Sequence, residues 1–253
     1  MIHVFIGYDP KEAVAYHTLC HSILRQSSIP VCIVPVNLAN LAKYYWRSRD
    51  DKQSNDFSFS RFLVPQIAHD MGLKKAIFMD CDLLFRCDIK ELVDQFDHHA
   101  VKVCQHDYQP KDKIKYLGNP QYTYPRKNWS SLMLFNLSQY QLCDAAGAKV
   151  LTTEYVNPAP GLDLHRFNWI DDQHIGSLPL EYNWLVGEYD HNPNAKIVHF
   201  TIGGPYFTEY KDCDYADEWR EEFNRMIHAD QLQDPSFKVI HGKHTKARLE
   251  ISV

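Results

Sequence analysis

The first 36 residues restrict the fold more than any other part of the chain. An apolar run over residues 2–6 predicts a strand, and Gly7 permits the turn that follows it. Asp9 is a candidate N-cap for a helix over residues 11–25, because its side chain can accept a hydrogen bond from the first helical turn. A second apolar run follows at Val31–Val36. Strand, helix and strand at this spacing begin a β-α-β unit, which predicts an α/β fold.

The rest of the chain continues this alternation. The patterns predict helices over residues 60–71, 142–153 and 217–229, and strands over residues 75–79, 100–104, 131–136 and 196–200. Residues 40–58 are polar and charged without a clear period, which predicts a long loop of the kind that often carries function. We therefore expect one mixed α/β domain over residues 1–253, with a mostly parallel central sheet flanked by helices.

Charge and cysteine usage limit the classes of protein. Lys and Arg number 27 and Asp and Glu 32, so the net charge of −5 argues against binding nucleic acid through phosphate contacts. No apolar run approaches the roughly 18 residues of a membrane span, and we expect no secretory signal. The seven cysteines form no C-x-x-C pair, which favours reduced thiols and a cytoplasmic protein. The basic tail over residues 237–253 is interpreted as a solvated face, with peripheral contact at the inner membrane surface as the alternative.

Two carboxylates follow the apolar run of residues 76–79. Asp80 and Asp82 are one residue apart, so an extended backbone would direct both side chains to one side. Two hard oxygen donors at the carboxyl end of a strand suit Mg²⁺ or Mn²⁺ holding a diphosphate. The alternative is an ordinary pair of aspartates that caps or turns the chain.

A second apolar run, residues 196–200, delivers His199 and is followed by Gly203 and Gly204. A neutral imidazole is a metal ligand, and glycines let a backbone approach phosphate oxygens closely. The alternative is a core histidine with a satisfied hydrogen bond. Only the fold could join His199 to Asp80 and Asp82.

Five segments in this order resemble glycosyltransferases of the GT-A fold, and most closely glycosyltransferase family 8. The segments are residues 4–9 (VFIGYD), 60–82 with the D-x-D motif, 129–136 (WSSLMLFN), 171–184 (DDQ, then LPLEYNW) and 199–203 (HFTIG). The resemblance covers about residues 2–206. It implies a nucleotide-sugar-binding half over about residues 1–105, an acceptor half over about 106–215, and a carboxyl-terminal helix with the basic tail over about 216–253.

The resemblance also implies roles for individual residues. Asp80, Asp82 and His199 would coordinate Mn²⁺ or Mg²⁺, which acts as a Lewis acid on the leaving nucleoside diphosphate. The remaining candidates are Tyr8 and Asp9 at the nucleobase or ribose, Arg61 at the diphosphate or sugar, Ser130 and Ser131 at the donor sugar, Gly203 and Gly204 at the diphosphate, and Asp171, Asp172 and Gln173 as catalytic residues near the anomeric carbon.

The implied activity is metal-dependent transfer of a hexose from a nucleotide sugar, a UDP-sugar first, to a glycan or glycolipid, with retention of configuration. The family commonly has a lysine after the H-F-x-G segment, where this chain has none over residues 203–206. Lys211, or Lys243 or Lys246 in the tail, would replace it. The alternatives are a haloacid-dehalogenase-like phosphatase that uses the D-x-D, a sugar nucleotidyltransferase and a non-catalytic carbohydrate-binding protein.

Overall fold

A computed structural model describes residues 1–49, 53–139 and 151–228 of the chain. The basic tail, with Lys243 and Lys246, lies outside these residues. The helix predicted over residues 142–153 lies almost wholly outside them as well. Of the predicted loop over residues 40–58, residues 41–49 and 53–58 are described and contain neither helix nor strand.

The described strands form a six-stranded sheet, a three-stranded sheet and a short hairpin. They are β1 (Ile2–Gly7), β2 (Val31–Val36), β3 (Lys75–Met79), β4 (Leu83–Phe85), β5 (Val101–Cys104), β6 (Ile114–Lys115), β7 (Asn119–Pro120), β8 (Leu132–Asn136), β9 (Ile175–Leu178), β10 (Trp184–Leu185) and β11 (Ile197–His199). Each strand predicted from the sequence is present to within one residue at either end.

The large sheet has the order β2-β1-β3-β8-β5-β9. Its strands run parallel except for β8, which is antiparallel to both β3 and β5. This confirms the expected mixed, mostly parallel sheet. Ile6 pairs with Met79, so β1 and β3 end side by side. The residues that follow these two strands therefore leave the sheet at the same edge.

The three-stranded sheet, ordered β10-β11-β4, extends from this edge. Strand β11 is antiparallel to β4, with His199 opposite Leu83, and parallel to β10, with His199 opposite Leu185. Since Leu83 directly follows Asp82 in the chain, this register brings the end of β11 to the D-x-D segment.

Six helices lie wholly within the part of the chain that the structure describes, and a further helix begins at residues 137–139. The six are α1 (Ala13–Gln26), α2 (Val64–Asp70), α3 (Ile89–Val93), α4 (Thr153–Val156), α5 (Gly161–His165) and α6 (Ala216–Ile227). The first turn of the predicted helix 11–25 is a 3₁₀ turn, Pro10–Glu12, capped by the side chain of Asp9. The predicted helix 60–71 is divided into a 3₁₀ turn, Ser60–Leu63, and α2.

The hydrophobic core lies on the faces of the large sheet. Phe5, Phe78 and Phe135 are fully buried there, and α1 contributes Leu19 and Ile23. Each such side chain stabilises the fold by about 1.5–3 kcal/mol. No helix of the described residues is long and apolar enough to cross a membrane.

Candidate metal centre

The ends of β3 and β11 bring three predicted ligands together. The residues of β3 after Lys75 are buried, and the first polar side chain after them is Asp80. The amide of Phe200 donates to the carbonyl oxygen of Asp82 at 2.9 Å, which ties β11 to the D-x-D segment. One ligand atom each from Asp80, Asp82 and His199 lie within 4.8 Å of one another, and all three residues are buried.

These side chains fit a divalent cation. Oδ1 of Asp80 and Oδ1 of Asp82 are buried, and among the described residues neither accepts an aligned hydrogen bond. Nε2 of His199 lies 3.3 Å from Oδ1 of Asp82. Buried carboxylate oxygens that lack aligned hydrogen bonds are costly, and a cation would relieve that cost. Two carboxylates and one imidazole are ligands that Mn²⁺ accepts, and Mg²⁺ would use the carboxylates.

The two aspartates have different electrostatic surroundings. Burial raises the pKa of Asp80 to about 6, against the opposing charge of Arg61. Burial acts in the same direction on Asp82, but His199 beside it holds the pKa of Asp82 below its usual value. The neighbouring positive groups therefore offset the cost of burial for the Asp82 carboxylate, but not for the Asp80 carboxylate.

Arg61 is fixed beside Asp80 by the 3₁₀ turn that precedes α2. Its Nη1 forms an ion pair with Oδ1 of Asp80 at 2.7 Å, without hydrogen-bond alignment, and donates to the carbonyl oxygen of Ser130 at 3.0 Å. Its guanidinium lies 5.2 Å from the ring centroids of Phe57 and Phe78. The structure thus places the predicted Arg61 in the centre.

Tyr8 and Asp9 leave the sheet at the same edge, but Asp9 is engaged in holding the backbone. Its two carboxylate oxygens accept hydrogen bonds from the amides of Lys11, at 2.9 Å, and Asp56, at 3.0 Å. The ring of Tyr8 packs edge-on against Tyr16. The contact of these two residues with a nucleobase or ribose stays a prediction.

Glu12 is a buried carboxylate near the centre that the sequence analysis missed. Its Oε2 accepts a hydrogen bond from the hydroxyl of Tyr116 at 3.0 Å, and its Oε1 accepts one from Tyr206 at 3.2 Å. Burial, and then the charge of Asp82, raise the pKa of Glu12 to about 8. In the sequence Glu12 lies in the first turn of the predicted helix over residues 11–25, so its position near Asp82 could not be inferred.

Lys115 is a second residue that the sequence analysis missed. It lies on β6, and the amide of Tyr116 donates to the carbonyl oxygen of Ile202 at 2.8 Å, which holds the β6–β7 hairpin beside Gly203. Burial lowers the pKa of Lys115, opposed by the charges of Asp82 and then Glu12. Lys211, the predicted replacement for the missing family lysine, is exposed and lies 3.8 Å from Asp212.

Gly203 and Gly204 lie in a turn covered by aromatic rings. Gly203 has a φ of +153°, and a Cβ there would lie 2.4 Å from the ring of Tyr210. A Cβ on Gly204 would lie 2.3 Å from the ring of Tyr206. Glycine is required at both positions by this packing, whereas approach to a diphosphate stays a prediction.

Ser130 and Ser131 are buried directly beside the centre. The carbonyl oxygen of Ser131 accepts a hydrogen bond from the amide of Asp80 at 2.9 Å. Oγ of Ser130 lies 3.0 Å from Nδ1 of His165. The side chains of both serines are thus engaged inside the protein, and their predicted contact with the donor sugar is not tested by this geometry.

The structure does not bring Asp171, Asp172 and Gln173 to this group. All three are exposed, and Asp172 forms an ion pair with Arg126 at 2.6 Å. They precede β9. The pairing of β9 with β5, of β5 with β8 and of β8 with β3 places Ile175 of β9 level with Ala76, near the beginning of β3. They therefore enter the sheet at the end opposite Asp80, and their catalytic role stays a prediction.

Comparison with solved structures identifies the fold. The bifunctional glycosyltransferase WbbM has a TM-score of 0.59 and 18% identity, over 95% of this chain and 51% of WbbM, so the chain spans about half of that protein. GlyE of Streptococcus pneumoniae TIGR4 has a TM-score of 0.58 and 14% identity, over 96% of this chain and 64% of GlyE. The galactosyltransferase LgtC, solved with donor and acceptor sugar analogues, has a TM-score of 0.56 and 11% identity, over 90% of this chain and 97% of LgtC. The fold is GT-A-like.

Comparison with characterised sequences identifies the family. The chain is 46% identical over 233 residues to protein CDI of Arabidopsis thaliana, which covers 88% of this chain and 87% of protein CDI. The chain therefore belongs to the protein CDI family. No protein-family model matches the sequence. The name of the relative states no activity.

Proposed function

We propose that this protein is a metal-dependent glycosyltransferase that moves a hexose from a nucleotide sugar to a glycan or glycolipid acceptor with retention of configuration. The proposed donor is a UDP-sugar. The observation that carries the proposal is the buried group of Asp80, Asp82 and His199 at the carboxyl edge of a GT-A-like sheet. Two of its carboxylate oxygens lack an aligned hydrogen bond in the described part of the chain.

The reaction requires positive charge at the leaving group. Cleavage of the bond between the sugar and the diphosphate develops negative charge on the diphosphate and oxocarbenium character on the sugar. Asp80, Asp82 and His199 would hold Mn²⁺ or Mg²⁺, which supplies Lewis-acid stabilisation of the diphosphate when bound. Lys115 would add a second positive charge from the β6–β7 hairpin. Arg61 fixes Asp80 and shields its charge.

The assignments of the catalytic residues and of the halves rest on the resemblance to family 8. We propose residues 1–105 and 106–215 as the donor and acceptor halves of one domain. The proposed role of Asp171, Asp172 and Gln173 near the anomeric carbon has the resemblance as its one support, because these residues enter the sheet at the end opposite Asp80. We also propose that the protein is cytoplasmic and contacts the membrane surface peripherally through the basic tail.

A turnover assay tests the proposal. Nucleoside diphosphate release is measured from a panel of UDP-, GDP- and ADP-sugars with Mn²⁺, Mg²⁺ or EDTA, with and without oligosaccharide acceptors. We expect metal-dependent release from one nucleotide that increases with acceptor and is lost in Asp82→Asn. Release in EDTA at the same rate would contradict the metal-dependent reaction.

A phosphatase that uses Asp80 as nucleophile is the rival enzyme. The ion pair with Arg61 and the burial of Asp80 disfavour it, because a nucleophilic carboxylate has to reach the phosphorus atom. Phosphate release from p-nitrophenyl phosphate without any sugar transfer would favour the rival.

A further inference from the structure

A chain of buried hydrogen bonds leads from the metal centre to the protein interior, and Asn183 lies at its middle. Asn183 is fully buried at the end of the 3₁₀ turn Leu180–Asn183. Its Oδ1 lies 2.9 Å from Nδ1 of His199. Its Nδ2 lies 2.8 Å from Oγ of Ser131 and 3.1 Å from Nε2 of His106.

The contacts of Ser131 determine which way the Asn183 amide faces. Oγ of Ser131 donates to the carbonyl oxygen of Asn128 at 2.7 Å. A carbonyl oxygen only accepts, so the single hydroxyl hydrogen of Ser131 lies on that bond. Oγ can then only accept a hydrogen bond from Asn183. The amide nitrogen of Asn183 must face Ser131, and its oxygen must face His199.

This orientation determines the tautomer of His199. The oxygen of Asn183 is an acceptor, so Nδ1 of His199 carries the hydrogen. In the neutral ring, Nε2 then carries the lone pair, and it faces Oδ1 of Asp82 at 3.3 Å. A neutral imidazole with a free Nε2 is the form that binds a metal ion, and a partner on the other ring nitrogen commonly fixes it.

His106 holds the other side of the same amide. Its Nε2 accepts from Asn183, so its Nδ1 donates to the hydroxyl of Tyr189 at 2.9 Å. Burial lowers the pKa of His106 to about 3, which keeps this ring neutral and its Nε2 able to accept. Ser131 and His106 together give the Asn183 amide one orientation.

We propose that Asn183 is a positioning residue that holds His199 in the Nδ1–H tautomer and thereby directs the Nε2 lone pair at the gap beside Asp80 and Asp82. The role of that lone pair rests on the proposed metal-dependent function. In this role Asn183 acts through His199 and is not itself a ligand of the metal.

The first measurement is the tautomer of His199 in the metal-free wild-type protein. Long-range ¹H–¹⁵N spectra of protein labelled at histidine distinguish Nδ1–H from Nε2–H rings, and the signals that vanish in His199→Gln identify His199. We expect Nδ1 of His199 to carry a hydrogen, whether Nε2 holds its lone pair or is also protonated beside Asp82. A ring with its hydrogen on Nε2 alone would overturn the proposal without any variant of Asn183.

Three variants then test the cause. Asn183→Leu removes the acceptor at similar volume, so Nε2–H donating to Asp82 becomes favoured, and we expect Mn²⁺ affinity to fall about 10–100-fold. Asn183→Asp keeps an acceptor for Nδ1–H but loses the donor to Ser131 and His106, so it should retain a hydrogen on Nδ1 of His199 while it lowers the melting temperature. Asn157→Leu is the matched control, because Asn157 is a buried asparagine that hydrogen-bonds residues 44–47 and Thr153 instead.

Paramagnetic resonance of free Mn²⁺ gives the affinities. An unchanged tautomer and an unchanged Mn²⁺ affinity in Asn183→Leu would overturn the proposal. Equal losses of Mn²⁺ affinity in Asn183→Leu and Asn157→Leu would also overturn it. If the wild-type protein binds no Mn²⁺, the proposed metal-dependent function fails, while the spectra of the metal-free protein still decide the positioning by Asn183.

Discussion

The buried carboxylate between α1 and α6 is paired more completely than the two buried carboxylates of the metal centre. Glu222 on α6 accepts hydrogen bonds from Nδ1 of His21 at 2.6 Å and from Nη2 of Arg25 at 2.8 Å, both on α1. Burial alone would raise the pKa of Glu222, but these partners hold it below its usual value. At the metal centre, burial raises the pKa of Asp80, and Oδ1 of Asp80 and of Asp82 lack aligned partners among the described residues.

The difference separates a structural role from a functional one. A carboxylate whose oxygens are all engaged joins two helices and contributes to stability. A buried carboxylate whose pKa is raised by burial, as that of Asp80 is, is costly to the fold until a cation compensates its charge, and such groups concentrate at functional sites. Substitutions in the two regions should therefore affect different measurements.

The largest expected effect follows Asp82→Asn. Removing one charged ligand should weaken Mn²⁺ binding by about 100-fold, while the variant stays folded in EDTA. Titration calorimetry with Mn²⁺ and a melting curve check the two parts. Loss of the folded state in EDTA would place Asp82 with Glu222, as a structural carboxylate.

Lys115→Met tests the positive charge near the centre. We expect affinity for a nucleoside diphosphate to fall about 10-fold, because a charge-assisted contact is lost, while affinity for the nucleoside is unchanged. Lys113→Met is the control, since Lys113 is exposed and precedes the same hairpin. Equal losses in the two variants, or an equal loss for the nucleoside, would contradict a role at the diphosphate.

Glu222→Gln should lower the free energy of unfolding by about 1–2 kcal/mol without changing Mn²⁺ affinity, because the ionic hydrogen bonds between α1 and α6 weaken. Urea unfolding measures the difference. The control is Glu221→Gln, whose exposed pair with Arg225 is worth less than about 0.5 kcal/mol. A larger loss in the control would remove the distinction between the buried and exposed pairs.

The smallest expected effect is the pH dependence of the stabilisation by Glu222. The folded-state pKa of Glu222 lies below the unfolded value, so its stabilisation is fully present above the unfolded pKa, about 4.3, and is lost as pH falls through the folded pKa. The stability difference between wild-type protein and Glu222→Gln should be smaller at about pH 3 than at about pH 5. A difference that grows on acidification would contradict the lowered pKa.

Local pattern was enough to predict the strands that form the centre. The apolar runs at Val31–Val36 and Lys75–Met79 coincide with β2 and β3, and the D-x-D follows β3 as expected. The proximity of His199 required one further fact, the pairing of β11 with β4, which no local pattern encodes.

Other parts of the site depend on tertiary structure alone. Lys115 comes near Asp82 because the β6–β7 hairpin docks on Ile202, and the segment around Lys115 has no period that would predict a hairpin. Asn183 was within a recognised segment, but its role depends on Ser131 and His106, which are distant in sequence.

The central claim is that the buried group of Asp80, Asp82 and His199 binds a divalent cation together with a nucleotide. The most direct test is the melting temperature of the wild-type protein with UDP, GDP, ADP and CMP, each with Mn²⁺, Mg²⁺ or EDTA. A ligand that binds only the folded state raises the melting temperature by mass action. We expect a rise with one nucleotide, UDP first, that requires the metal. No rise with any nucleotide and either metal, in a well-folded sample, would contradict the claim.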